Sequence, residues 1–232
     1  MDFNERTKLL IDDSKLHDSC AAVFGLGGVG SYVAEALVRA GIGKIVICDN
    51  DYITASNINR QLLALHSNIG RTKVGAAVER YLDINPELEI HAFDEFILPD
   101  NIDYFFEKLM VRPDFVADCI DTVSGKIAII KKCKELDIPV ISSMGTGNKL
   151  HPEMFKIADI SKTSVCPLCK VMRKELRDRG ITDVPVLFSE EEPVKIKDAA
   201  IGNISAIGSI STVPSVAGLL ISNHIIMNLV NA

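Results

Sequence analysis

A chain of 232 residues with 47% hydrophobic content is long enough for one large domain with a substantial core, or one domain and a small appendage. The formal net charge of −6 excludes a global attraction to nucleic acid, so any RNA contact needs a local basic face. Six cysteines without a paired framework, with Cys48, Cys119 and Cys133 in or beside apolar segments, exclude a disulfide scaffold and read as core thiols of a reduced, cytoplasmic protein.

The opening residues, Met1-Asp2-Phe3-Asn4-Glu5-Arg6, carry acids and no long apolar run, which argues against a secretory signal. Residues 4–19 have the spacing of an amphipathic helix anchored by Leu9, Leu10, Ile11 and Leu16, and from spacing alone Arg6 reads as a solvated charge. A strand over 20–24 then enters Phe24-Gly25-Leu26-Gly27-Gly28-Val29-Gly30, and a helix follows over about 29–40. Strand, glycine turn and helix in that order form a phosphate-binding corner. Gly25, Gly27, Gly28 and Gly30 permit the tight turn, and the free N–H groups of the helix favour an anion. Taken alone, such a corner most often holds NAD or FAD. Gly41-Ile42-Gly43 breaks the helix. Lys44 to Cys48 is a buried strand ending in Asp49, which is placed either to hydrogen-bond a ribose hydroxyl or to cap a turn.

A nicotinamide enzyme would now run into its next helix. This chain instead carries Asp51 and Ser56-Asn57-Ile58-Asn59-Arg60-Gln61, a loop of amides and a guanidinium suited to a polyphosphate. Asn68 to Lys73 opens a helix that runs to about Asn85. A lysine in the first turn opposes the helix dipole, so Lys73 reads either as a triphosphate contact or as an exposed lysine. Strand 89–93 and helix 100–110 follow, the latter with Ile102, Phe105, Phe106 and Leu109 inward. Strand 115–121 finishes with Asp118 and Asp121 at its carboxyl end, where open α/β sheets place ligands. One of these acids beside a triphosphate would bind Mg²⁺. Helix 124–136, strand 139–144 and a loop Gly145-Thr146-Gly147-Asn148, able to wall a substrate pocket, complete this half.

After Pro152 the character changes. Phe155 to Ile160 has the composition of a strand pairing back on the sheet. Cys166 and Cys169 have the spacing of half a zinc site, but no second pair exists and the nearest later histidine is His224, which argues against zinc. Lys170 to Gly180 is a basic helix; Lys170, Arg173, Lys174 and Arg177 are candidate RNA contacts on what is otherwise an ordinary solvated face. From Ile201 to Ala232 there is no formal charge. Gly202, Asn203, Ser205, Gly208, Pro214 and other breaks argue against a membrane span, and Ser215 to Val230 reads as a buried helix at a subunit interface.

The set Gly25-x-Gly27-Gly28-x-Gly30, Asp49-x-Asp51, Ser56-Asn57-x-Asn59-Arg60-Gln61, Gly70-x-x-Lys73 and Asp118-x-x-Asp121 resembles the E1-like adenylating superfamily, which includes the ThiF, MoeB and HesA proteins. The resemblance implies an α/β fold: a Rossmann-like sheet with helices on both faces and a small C-terminal extension completing it. Residues 1–150 would be the ATP-binding adenylation core with its N-terminal helix. Residues 151–232 would be a substrate-facing segment and a buried helix of the same domain. By the same resemblance Gly25, Gly27, Gly28, Gly30, Asp49, Asp51, Asn57, Arg60, Gln61, Lys73 and Asp121 would hold ATP. Asp121 would associate with Mg²⁺, and Arg6, Arg60, Lys73 and Asp121 would be catalytic, with Arg6 reaching across a homodimer.

Within that superfamily, Arg6-Thr7-x-Leu9-Leu10, Ser142-Ser143-Met144-Gly145-x-Gly147-Asn148-Lys149, the segment Pro167 to Leu176 and Gly208-Ser209-x-x-x-Thr212-x-Pro214 are most similar to the TcdA/CsdL branch. These are the tRNA threonylcarbamoyladenosine (t6A) dehydratases. The resemblance implies ATP-dependent cyclisation of t6A at tRNA position 37 through a carboxyl-adenylate. The alternative is ThiF/MoeB-like adenylation of the Gly-Gly tail of a sulfur-carrier protein, with a sulfur-transfer protein as a further partner.

Overall fold

Short apolar runs closed by glycine or polar residues become the strands, and the amphipathic runs between them become crossover helices. The structure, a computed structural model, describes residues 3–196, 200–201, 204–205 and 207–231; Met1, Asp2, Gly202 and Asn203, used above, lie outside them. The elements run α1 (Glu5–Lys8), α2 (Ser14–Asp18), β1 (Cys20–Phe24), α3 (Gly30–Ala40), β2 (Lys44–Cys48), α4 (Lys73–Ile84) and β3 (Glu89–Phe93). They continue with α5 (Ile102–Glu107), β4 (Phe115–Asp118), α6 (Val123–Glu135), β5 (Val140–Ser143), β6 (Phe155–Asp159), α7 (Pro167–Arg177) and β7 (Pro185–Ser189). A two-strand pair, β8 (Ala200–Ile201) and β9 (Ile204–Ser205), precedes α8 (Thr212–Asn231).

Seven strands form one sheet in the order β3-β2-β1-β4-β5-β7-β6. All neighbours are parallel except β6, which pairs antiparallel with β7 at the edge. Both faces are covered, so the central strands are apolar on both sides. Ala21 and Val23 of β1 face a core shared with α3, α4 and α8. Cys20, Ala22 and Phe24 face a second core shared with α5, α6 and α7. The strand order turns between β1 and β4, and ligands of such sheets bind outside the carboxyl ends at that switch.

Several sequence expectations are corrected. The single helix over 4–19 is two short helices, because the Asp12 carboxylate accepts from the Ser14 N–H at 3.1 Å and offers the backbone a turn instead of a helical bond. Leu16 is fully buried, but the supposed anchors Leu9 and Leu10 are 84% and 86% exposed. Helix 100–110 shortens to α5. Strand 115–121 stops at Asp118, whose side chain accepts from the Ile120 N–H at 3.3 Å. β7 had no counterpart in the sequence reading, and it lies between β5 and β6.

Helix α8 is long and apolar enough to cross a membrane by length and composition. It packs instead along α3. Val213, Ala217, Ile221, Ile225 and Leu229 repeat every four residues and are buried in the core. Gly218 allows the approach: a Cβ there would lie 2.5 Å from the Val29 carbonyl oxygen and 2.7 Å from the Tyr32 Cβ. Leu219, Leu220 and Met227 remain exposed on the outer face.

The start of α3 is packed just as tightly. A Cβ on Gly30 would fall 1.8 Å from the Gly25 carbonyl oxygen. Gly30→Ala is therefore expected to cost about 1–3 kcal/mol, as overpacking does, with a lower urea midpoint and an unchanged m-value as the measurement.

Candidate active site

The site begins at the carboxyl end of β1. Gly25 has φ +87°, and a Cβ there would lie 2.8 Å from the Cys119 carbonyl oxygen, so only glycine lets the loop pass the end of β4. The Gly25 N–H donates to the Cys48 carbonyl at 2.7 Å, which ties the loop to β2. Above the loop opens a cleft of about 880 Å³. Gly25, Gly27 and Gly28 line it and Gly30 does not; Gly30 serves packing of the helix on the turn. Gly28 faces Pro214 at the start of α8 and the Arg60 side chain, 3.1 and 3.6 Å from a Cβ placed there.

Asp49, Asp51 and Lys73 form one connected group in the cleft wall. Asp49 Oδ2 accepts from the Leu26 N–H at 2.6 Å and Oδ1 from the Asp51 N–H at 2.8 Å, so this acid does cap a turn. Lys73 begins α4 behind Thr72, whose hydroxyl accepts from the Gly75 N–H at 3.1 Å. The exposed-lysine reading fails: Lys73 is 4% exposed. Its ammonium lies 2.6 Å from Asp51 Oδ2 and 3.4 Å from Asp49 Oδ2.

The amide-rich loop forms the adjoining wall. Asn57 Oδ1 accepts from the Thr54 N–H at 3.0 Å. Arg60 Nη1 donates to the Ser56 carbonyl at 2.8 Å and to Asn59 Oδ1 at 2.9 Å, which holds the guanidinium beside the cleft. Asn59 donates to the Ser209 carbonyl at 2.9 Å, joining this loop to the segment before α8. Gln61 is buried, and its Oε1 has no partner among the described residues. Thr122, missed by sequence reasoning, also lines the cleft, and its buried Oγ1 has no partner among the described residues. A buried oxygen left unmet costs about 1–3 kcal/mol, so both fit a donor carried by a ligand.

The paired acids Asp118 and Asp121 separate completely. Asp118 is fully buried, accepts from Lys126 at 3.1 Å and from the Ser142 hydroxyl at 2.5 Å, and does not line the cleft. Lys126, equally buried, also donates to the Ser143 carbonyl at 2.7 Å. No sequence signal marks this lysine, which reads as an ordinary helix charge. Asp121 is exposed at the cleft, with no ion pair or hydrogen bond among the described residues.

The far wall comes from residues 143–149, Cys166, Pro167, Leu168, Pro193 and Ile207. The Asn148 N–H donates to the Gly208 carbonyl at 2.8 Å, and the Gly208 N–H returns a bond to Asn148 Oδ1 at 2.6 Å. On α7, Lys170, Lys174 and Arg177 are exposed, whereas Cys169, Met172 and Leu176 are buried. Arg173 turns inward, donating to the Thr163 carbonyl at 2.6 Å. The structure does not bring Arg6 to this cleft. Asn4, two residues earlier, packs on Gly41 at the far end of α3, and 11 residues of helix span about 16 Å at 1.5 Å each.

The sequence model of the ThiF family matches residues 8–232. The chain is 44% identical over 226 residues to the tRNA threonylcarbamoyladenosine dehydratase of Bacillus subtilis (strain 168), covering 92% of this chain and 88% of that protein. It is 36% identical over 182 residues to the Escherichia coli (strain K12) protein of the same name, covering 75% and 67%. A crystal structure of E. coli tRNA N6-threonylcarbamoyladenosine dehydratase in complex with ATP superposes with a TM-score of 0.83 at 31% identity, covering 97% of this chain and 89% of that one.

Proposed function

The chain belongs to the ThiF family, and from that premise we propose that it is an ATP-dependent tRNA threonylcarbamoyladenosine dehydratase. The observation that carries the reading is the gathering of Asp49, Asp51, Asn57, Arg60, Gln61, Lys73 and Asp121 around one cleft at the switch point of the sheet. Relatives along nearly the whole chain share the activity named above.

A carboxylate is a poor electrophile, because its leaving group would be oxide. Attack of the threonyl carboxylate oxygen on the α-phosphorus of ATP expels pyrophosphate and leaves an acyl-adenylate. The ureido group of the same substrate then attacks the acyl carbon, and AMP departs with the carboxylate oxygen. Loss of one ureido proton completes a net removal of water. The nucleophile is already tethered, so the protein's task is alignment and charge. In this reading Lys73 and Arg60 neutralise the phosphates, and the unmet oxygens of Gln61 and Thr122 accept from nucleotide or substrate. Asp121, a cleft carboxylate without a partner among the described residues, would hold a Mg²⁺, an ion that takes one or two carboxylates. That ion, when bound, supplies Lewis-acid stabilisation of the phosphate charge.

The reading includes a homodimer and a cytoplasmic site of action. Arg6 is exposed, has no partner among the described residues, and sits too far along α3 to serve its own cleft, which supports a role in the cleft of a second copy. Lys170, Lys174 and Arg177 extend from the end of α7 that walls the cleft, a suitable path for the tRNA backbone.

Incubation with ATP, Mg²⁺ and t6A-containing tRNA should yield a nucleoside lighter than t6A by one water, and its absence while ATP is bound would refute the reading. A parallel arm with a Gly-Gly-tailed carrier protein should give no pyrophosphate exchange. Arg6→Ala is expected to slow the reaction on the order of 10-fold or more with no change in dimer mass. Mixing it with an Asp121 variant should restore part of the rate, since one cleft of the mixed dimer would then hold both intact groups.

A further inference from the structure

Cys166 and Cys169 are unused by the mechanism above. Among the described residues no group of three or more His, Cys, Asp or Glu side chains gathers to hold a metal, so the pair stands as a dithiol. Cys166 is the N-cap of α7, followed by Pro167 at the first helical position. Cys169 lies one turn further on the buried face. Cys166 is only 3% exposed, and what it touches is the cleft.

We infer that Cys166 and Cys169, one turn apart at the start of α7 in the cleft wall, form a hydroperoxide-reactive site that closes to a disulfide and is shielded when the cleft is filled. Three cysteines line the cleft: Cys48, Cys119 and Cys166. Burial pushes the Cys119 thiol up to about 12, and burial also pushes Cys48 up. Cys166 differs. A hydrogen bond from the Cys169 thiol holds its thiol well below the usual range against the effect of burial. Cys169 is pushed up, because it donates that bond and is itself buried. This is the division of labour of a reactive dithiol: a thiolate at a helix N-terminus and a protonated partner beside it.

The chemistry closes without a cofactor. The Cys166 thiolate attacks the O–O bond of the hydroperoxide; an S–O bond forms, the O–O bond breaks, and hydroxide (or alkoxide) leaves. The Cys169 sulfur then attacks the sulfenic sulfur, its proton joins the departing hydroxyl, and water leaves as the S–S bond forms. The dithiol is oxidised by two electrons and the peroxide is reduced. Only a small oxidant can enter, and it enters through the cleft. Disulfide formation moves the Cys166 sulfur, which lines the cleft together with Gly145 of the far-wall loop.

The test uses intact protein treated with hydrogen peroxide, with and without ATP, then alkylated and digested with trypsin. Residues 163–170 form one tryptic peptide holding both cysteines. It should lose two hydrogens in the ATP-free sample before Cys48 or Cys119 reacts, and stay reduced with ATP present. Dithiothreitol should reverse the change. Cys169→Ser, which keeps a donor beside Cys166 but cannot close a disulfide, should instead trap a sulfenic acid on Cys166 that dimedone labels. Oxidised protein should lose cyclisation activity on the order of 10-fold, the scale of a small misplacement in an active site, and regain it on reduction. Earlier reaction at Cys48 or Cys119, no disulfide in that peptide, or undiminished activity of the oxidised protein would each overturn the inference. The ATP and activity arms rest on the proposed function, whereas the peroxide-driven disulfide does not. Oxidation that ATP does not slow removes the shielding, whereas absence of oxidation removes the site whatever the substrate is.

Discussion

Asp121→Asn should lower pyrophosphate release and t6A cyclisation by about 10²- to 10³-fold, the range for removing one preorganised electrostatic contact from an active site. Its melting temperature should not move. The side chain is exposed, makes no bond among the described residues and buries nothing; substitutions at such positions stay within about 0.5 kcal/mol. The amide keeps the shape and loses the charge, so a loss of rate with intact ATP binding assigns the effect to the charge. Wild-type turnover would take Asp121 out of the reaction. A large fall in stability would mean that the carboxylate does structural work that the described contacts do not show.

Lys126→Met should do the opposite. It leaves Asp118 buried without its cation, and breaking one partner of a buried pair costs about 3–5 kcal/mol. The urea midpoint should fall accordingly. Activity measured well below that midpoint should fall less, because neither side chain reaches the cleft. Asp118→Leu combined with Lys126→Met should recover part of the stability, since two apolar side chains leave no uncompensated charge. A loss below about 1 kcal/mol for the single variant would mean that water reaches the site. The ammonium also holds the Ser143 carbonyl, so the pair fastens the carboxyl ends of β4 and β5 together, directly beneath the loops that carry Asp121 and Gly145.

The contrast between these acids shows what the chain reveals from its letters. Both stand at the end of one apolar run, three residues apart, and both are acids where a ligand belongs. The partners of Asp118, a lysine on α6 with nothing local to mark it and the Ser142 hydroxyl of β5, turn it from a candidate ligand into a buried brace. The same limit applies at the N-terminus. Leu9 and Leu10 have helical spacing with Leu16, but the competing Asp12 turn and the absence of a covering surface within one chain leave them exposed. Strands β1 to β5 were legible because each is an apolar run closed by turn residues, and the glycine corner because its backbone geometry needs glycine. β7 was not, because Pro185 to Ser189 follows a polar loop and offers no periodicity of its own. The cleft's polar wall was legible as a cluster of costly residues. That Lys73 would be buried and held by two aspartates was not, since only the fold brings Asp51 and the start of α4 together.

Pro214, at the head of the final described helix, touches Gly28 of the first loop. During synthesis, a nascent chain that ends at α7 already contains the glycine corner, Asp49, Arg60, Lys73 and Asp121. It lacks the floor on which the corner rests and the helix that covers Val29 and Val33 of α3. The glycine corner is therefore complete only once translation has reached α8.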